Sequence, residues 1–573
     1  MKINKPHIIT AIVAASFGFI YCGFLMPFGM MFKEELTMFT YDSDYIFAYF
    51  SLPGSLSCLA GDFCTQFLFD RWLGAGVMAL FVSAIYVLSA CVLRRFFSAK
   101  TADALALLPA CLELLSAGNV WWSLAMPAGW MMAAAVFCGY SMIRNSRDGL
   151  LAAQVLGSAA LYVAAGSAAF VFALLVVAYD ARKGRGYLVR AVGGLSWAAL
   201  VCYKLNDWEW YLLTLPQAFA YPYTAQGQAW APIALLALAA MSHLPGARAE
   251  WSRAVRAAVS GLVAMAFGLI AFKFAPYKVE DVLRIRDLAD KGRWDAVQQE
   301  GRRMQDPVAA SYVNIALSAQ GTMGERLMEF YQPASSGLFL EVSPSAGWWT
   351  IYFASDAYFH VGDMIMAQHA AMLGMIFSPR ERSARLLKRL AQISIITGDI
   401  PAAMKFIGML DCTLFHRSEA RRLREQALAV NGQPEIDKAR RRIHHEDIIR
   451  NSWPPVESLE SLARNPENRE ARDYLLAYHL LNKNIPAFFN SYTLYYIRTG
   501  EQPPRVWAEA LLIYLAATRA TAEQVRELNI APETMRAFAN YTRTHEQSAG
   551  NLHLLQQQFS ASYWIYYHFA TFK

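Results

Sequence analysis

Between Ile8 and Phe32 the chain runs for 25 residues, IITAIVAASFGFIYCGFLMPFGMMF, without a charged side chain. At about 1.5 Å per residue, a helix of that length crosses the roughly 30 Å hydrocarbon core of a bilayer. The run is too long for the apolar core of a cleaved signal and has no convincing small-x-small cleavage site, so it reads as a retained span. Pro27 is expected to kink its outer end.

Apolar segments recur as far as Tyr277, and charges crowd in only after Lys278. Further candidate spans are Leu73–Leu93, Ala104–Ala117, Trp121–Met142, Leu150–Ala164, Ser167–Tyr179, Leu188–Tyr203, Ala229–Leu244 and Val255–Phe274. With the first they make about nine crossings, eight or ten being alternatives, since several fall short of the ~17 residues a perpendicular span needs. The expected fold is all-α: a polytopic transmembrane bundle over 1–277, then a soluble helical-repeat domain over 278–573.

Lys and Arg mark alternate loops, among them those holding Arg94 and Arg95, Arg182 and Lys183, and Arg248 and Arg253. The positive-inside rule then puts the N-terminus in the cytoplasm and everything after residue 278 outside, the periplasm if the membrane is a bacterial inner one. The formal net charge of +7 lies beside spans or alternates with acids, leaving no basic stripe for nucleic acid. Of eight cysteines only Cys412 lies in the soluble half, and no CxxC or Cys/His spacing suggests zinc or a disulfide framework.

The loop 33–72 gathers Glu34, Glu35, Asp42, Asp44, Asp62 and Asp70 among aromatic residues. It is too polar for lipid and too apolar for a free linker, which suits a membrane-surface loop with a reentrant or interfacial helix at PGSLSCLAGDFCTQF. A carboxylate at a partly dry surface can serve as a base, because burial raises its proton affinity. Asp42 and Asp44, two residues apart, could hold a divalent cation through oxygen ligands. Alternatively, these acids meet only water and helix N-termini.

Lys204 and Trp208 fall on the same outer side, in an aromatic stretch suited to an interfacial belt. Glu113, inside LALLPACLELLSAG, is costly in a membrane unless it faces protein or water. His444, His445, Glu446 and Asp447 form a lone His-acid cluster, but adjacent helical histidines diverge by about 100°, so a solvated face is the simpler reading. No GxSxG, GxxxxGK[ST] or strand-borne GxGxxG occurs.

In the second half, SDAYFHVGDMIMAQHAAMLGMIFSP places Tyr358, Gly362, Ala367 and Pro379 at the spacing of a tetratricopeptide unit, in which Gly ends one helix and Ala lets the next pack closely. Ala391, Gly398 and Ala403 repeat the arrangement. Ile485, Pro486 and Ala487 echo Ile400, Pro401 and Ala402, and Gly292 begins an earlier copy. The stretch 279–515 thus resembles tetratricopeptide repeats, which stack into a superhelix whose concave face binds extended partners. The aromatic end ASYWIYYHFATFK either caps the last repeat or touches a membrane.

A first span, an acidic outer loop with an interfacial helix, many short spans and an outer repeat domain together resemble the class C glycosyltransferases. It resembles, too, bacterial multi-spanning proteins with helical-repeat tails, for which no activity follows. The glycosyltransferase resemblance implies a polyprenyl-phosphate sugar donor, a protein, lipid or glycan acceptor recruited by the repeats, and a loop carboxylate as base or as metal and acceptor holder. Carried over by position, Glu35, Asp42 and Asp44 are the catalytic candidates. Lys33, Arg71, Glu113, Lys204 and Trp208 are the substrate-binding candidates. The competing expectation is a non-catalytic membrane anchor whose repeats assemble an envelope complex, while a transporter lacks an inverted repeat or a charged relay.

Overall fold

The computed structural model describes residues 5–143, 147–208, 210–222, 229–343, 345–429, 433–444, 455–548 and 550–571. Among these every regular element is a helix. Two compact units form: residues 1–280 with 409–418, and residues 281–408 with 419–573.

The first unit begins with α1 (Lys5–Ile20), which widens into a π turn at Tyr21–Leu25 before α2 (Pro27–Leu36). Proline has no N–H to continue the ladder, and the amide of Met26 reaches back five residues to the Tyr21 carbonyl at 3.0 Å. The loop then folds into α3 (Ser43–Ala48) and α4 (Ser55–Thr65) and leads into α5 (Arg71–Leu93). Asp42 and Asp70 start α3 and α5 as N-caps: Asp42 accepts from the Tyr45 amide, and Asp70 from those of Trp72 and Leu73.

There follow α6 (Ala99–Leu105), α7 (Leu107–Ser116), α8 (Ala125–Tyr140), α9 (Arg147–Ala165), α10 (Ala168–Asp180), α11 (Arg185–Asp207), α12 (Leu215–Ala220), α13 (Trp230–Met241) and α14 (Arg253–Phe274). Among the described residues five helices are long and apolar enough to cross a membrane: His7–Leu25, Arg71–Leu93, Asp148–Ala165, Arg185–Asp207 and Arg253–Phe274. The segments expected at 104–117, 121–142, 167–179 and 229–244 form helices of 10, 16, 13 and 12 residues. At about 1.5 Å per residue the 12-residue helix covers only about 18 Å. Short α7 lies against α1, α5, α13 and α14. Because its neighbours screen it, it is apolar without being long.

Small residues let these helices approach closely. A Cβ built on Gly18 of α1 would lie 3.2 Å from the Ala79 Cα of α5, and one on Gly61 of α4 would collide with the backbone at Ala125. On α4 the packed face carries Ser55, Ser57, Gly61, Asp62 and Thr65, while Leu56 and Phe63 are exposed. That is the reverse of a helix whose free side meets water.

The second unit is built of helix pairs, including Trp294–Gly301 with Pro307–Ala319, Trp348–Val361 with Met364–Ile376, and Val456–Ala463 with Arg469–Leu481. Gly362 and Gly398 end their helices at φ +91° and +84°, which L side chains rarely adopt. Ala367, Ala391 and Ala471 are fully buried where helices touch. The aromatic tail forms a helix, Tyr563–Phe569, inside this unit. The Tyr563 and Tyr566 hydroxyls each donate to the last carbonyls of Arg469–Leu481 at 2.8 Å, and the Trp564 indole donates to the Glu509 carbonyl at 3.0 Å.

Candidate functional site

The polar groups of the first unit concentrate where α1 turns into α2. Glu280, the last residue of this stretch of the unit, sets its carboxylate on the N-terminus of α2, accepting from the amides of Phe28 (3.0 Å) and Gly29 (2.6 Å). A Cβ on Gly29 would lie 2.5 Å from that oxygen, so glycine is what admits the carboxylate. The helix dipole and two free amides make this a favourable anion position.

One turn on, Lys33 is buried and its ammonium donates to the carbonyls of Asn119, Val120 (3.3 Å) and Trp122 (3.1 Å), 5.5 Å from the centre of the Trp122 ring. Burial pushes this amine down to about 7. The Trp122 indole donates in turn to Glu113 Oε1 (2.7 Å), and the Trp130 indole to Glu113 Oε2 (3.1 Å). Lys33 and Glu113, both expected at the site, are thus joined through Trp122. In this arrangement both are engaged with protein rather than presented to a ligand.

Glu34, beside Lys33, is buried and 2.8 Å from Nε2 of His416, which is also buried. His416 belongs to the segment 409–418 that folds with this unit. The segment is held by the Tyr41 amide donating to the Cys412 carbonyl (2.7 Å), by Phe415 stacked on Phe69, and by His416 set edge-on to Phe69. With Nε2–H donated to Glu34, Nδ1 keeps the lone pair, and among the described residues nothing hydrogen-bonds to it. A carboxylate that fixes an imidazole while the second ring nitrogen keeps its lone pair is the pairing of a general base with its orienting group. Beneath the loop, Tyr49 donates to Asp62 at 2.7 Å and shares a 2.7 Å hydrogen bond with Tyr45, all three buried.

The other expected residues disperse. Asp42 is occupied as a cap, Asp44 is exposed in the first turn of α3, and Glu35 is half-buried near the end of α2. Arg71 donates from Nε to the Gly23 carbonyl at 2.5 Å, within the π turn, and lies over the rings of Trp72 and Phe24. Lys204 pairs with Asp207 on the surface at 3.0 Å, and Trp208 is 64% exposed. No group of three or more His, Cys, Asp or Glu side chains suited to a metal occurs among the described residues. His445, Glu446 and Asp447 lie outside the described residues.

Glu34 with His416, and Gly29 with Glu280, stand 382 and 251 residues apart, and nothing local in the sequence announces either pairing. The local clue was only the adjacency of Glu34 to the end of a span. No curated protein and no solved structure matches the chain. A family model does match, over residues 2–570, and by it the chain belongs to DUF6057, a family of unknown function.

Proposed function

We propose that this protein is a membrane transferase of the class C glycosyltransferase kind, moving a sugar from a polyprenyl-phosphate donor to an envelope acceptor. The observation that carries the reading is the buried Glu34–His416 pair at the exit of the first long apolar helix. In this scheme the acceptor hydroxyl attacks the anomeric carbon, the bond from that carbon to the phosphate oxygen breaks, and His416 Nδ1 takes the hydroxyl proton while Glu34 steadies the imidazolium. The outward Leu56, Phe63, Phe47 and Phe50 of the loop helices suit contact with the lipid carrying the donor. The helix pairs of the second unit would recruit the acceptor.

A non-catalytic anchor for an envelope complex is favoured by a different observation: Asp42 and Asp70 are spent as helix caps and Lys33 on backbone carbonyls. Sugar transfer from a labelled polyprenyl-phosphate donor, measured in membranes, separates the two readings. Glu34→Gln keeps an acceptor for the imidazole but removes its charge, and transfer should fall by about 100-fold or more. Asp44→Asn, on the exposed turn, should transfer normally. No transfer by the normally expressed wild-type protein would leave the anchor reading standing, and undiminished transfer by Glu34→Gln would take Glu34 and His416 out of the chemistry.

A further inference from the structure

At the far end of α5 from the acidic loop, about 34 Å along its 23 residues, five cations of the first unit lie close to carboxylates. Arg94 is paired with Asp103 (2.7 Å), Lys100 with Glu250 (2.8 Å), and both Lys183 (3.1 Å) and Arg190 with Asp180, while Arg256 lies 3.9 Å from Glu250. Arg182 and Arg248 have no carboxylate partner among the described residues. Arg182 donates instead to the Arg95 carbonyl (3.2 Å) and the Ser242 hydroxyl, with its guanidinium 4.6 Å from the Phe96 ring centre. Its Nε is buried without an acceptor. Burial, and then the nearby Arg248, push Arg182 down to about 10.

Arg182, Arg248 and His243 line a cavity of about 300 Å³ together with Ser242, Leu244 and the turn at Gly246. Two like charges without a counter-charge raise each other's energy, and an anion between them turns that repulsion into attraction. The planar N–H fork of arginine matches phosphate oxygens better than a point charge does. We propose that this cavity binds a phosphate group, supplied either by an anionic lipid headgroup or by free phosphate. The lipid source rests on reading the long apolar helices as membrane spans; the site itself does not depend on the transferase activity.

Arg248 is exposed and makes no hydrogen bond or ion pair among the described residues, so Arg248→Gln should fold normally. The full-length protein is placed in phosphatidylcholine nanodiscs, with or without phosphatidylglycerol, and inorganic phosphate is titrated into the phosphatidylcholine discs. Thermal midpoint and anion affinity are read for each. Phosphatidylglycerol or phosphate should raise the wild-type midpoint, and Arg248→Gln should weaken binding about tenfold, the loss of one charge-assisted hydrogen bond. Arg185→Gln, an exposed cation outside the cavity, should bind like wild type. A response to phosphatidylglycerol alone identifies the headgroup, and a response to phosphate identifies the free ion. Stabilisation by neither, or equal weakening by Arg185→Gln and Arg248→Gln, overturns the proposal.

Discussion

Replacing Asp356 by alanine is expected to destabilise the second unit by about 3–5 kcal/mol, the usual cost of leaving buried charge without its partner. Asp356, on the helix Trp348–Val361, is 7% exposed and accepts from three groups on two other helices. Tyr312 of Pro307–Ala319 and Arg385 of Ala384–Thr397 donate to Oδ2, and Arg389, one turn beyond Arg385, donates to Oδ1 at 2.8 Å. Arg385 also donates to the Tyr312 hydroxyl at 3.1 Å, and Arg389 stacks 3.9 Å from the Phe359 ring centre. Alanine would leave Arg389 without a carboxylate, Arg385 with only the more distant Asp290 at 3.9 Å, and the Tyr312 hydroxyl without its acceptor, at the meeting of three helices. Since a domain is stable by only about 5–15 kcal/mol, the loss should be visible as faster amide hydrogen exchange over 307–319, 348–361 and 384–397 of the full-length protein. Exchange unchanged in all three helices would show that the cluster does not hold them.

The same carboxylate gives a pH signature. Burial alone would raise its pKa, but Arg385 and Arg389 outweigh that and hold it at about 2. A depressed acid stabilises the fold fully above its unfolded value, about 3.9, and that contribution is lost as pH falls through the folded value. Wild-type protection of these three helices should therefore fall between about pH 4 and pH 2. Asp356→Asn, weaker at neutral pH, should lack that component of the fall.

Local signals in this chain were legible where one residue decides the backbone. Gly362 and Gly398 ended helices because no side chain favours their positive φ, and the charge-free run after Ile8 became the first long helix. Asp42 and Asp70, each just before a helix start, were readable as N-caps, Asp42 from the same loop pattern that suggested catalysis. Helix length was not readable for α7, α10 and α13, because an apolar segment wrapped by apolar neighbours needs no particular length to be buried. Nor were the distant pairings: Gly29 is explained only by the carboxylate of Glu280, and Glu34 only by His416. A side chain's partner across several hundred residues is a property of the packed bundle, and periodicity carries no trace of it.

Gly61 lets the effect of such packing on the candidate site be measured. Its Cβ would fall 2.2 Å from the Ala125 amide nitrogen, 2.5 Å from the Ala125 Cα and 2.6 Å from the Leu124 carbonyl carbon. All three atoms are backbone at the start of α8, so no rotamer change relieves the contact and α4 as a whole must move away. The next residue is Asp62, whose carboxylate takes the Tyr49 hydroxyl, so the shift also pulls on the buried tyrosine pair under the loop. Gly61→Ala should therefore cost about 3 kcal/mol or more, at the upper end of overpacking penalties. Gly76→Ala, on α5 with nothing within 4 Å of the added carbon, is the matched control and should be neutral or stabilising by up to about 1 kcal/mol. Thermal unfolding of the two variants in the same nanodiscs compares them directly. Equal midpoints would mean that α4 is free to slide over α8, and a loop so loosely held could not keep Glu34 and His416 in register.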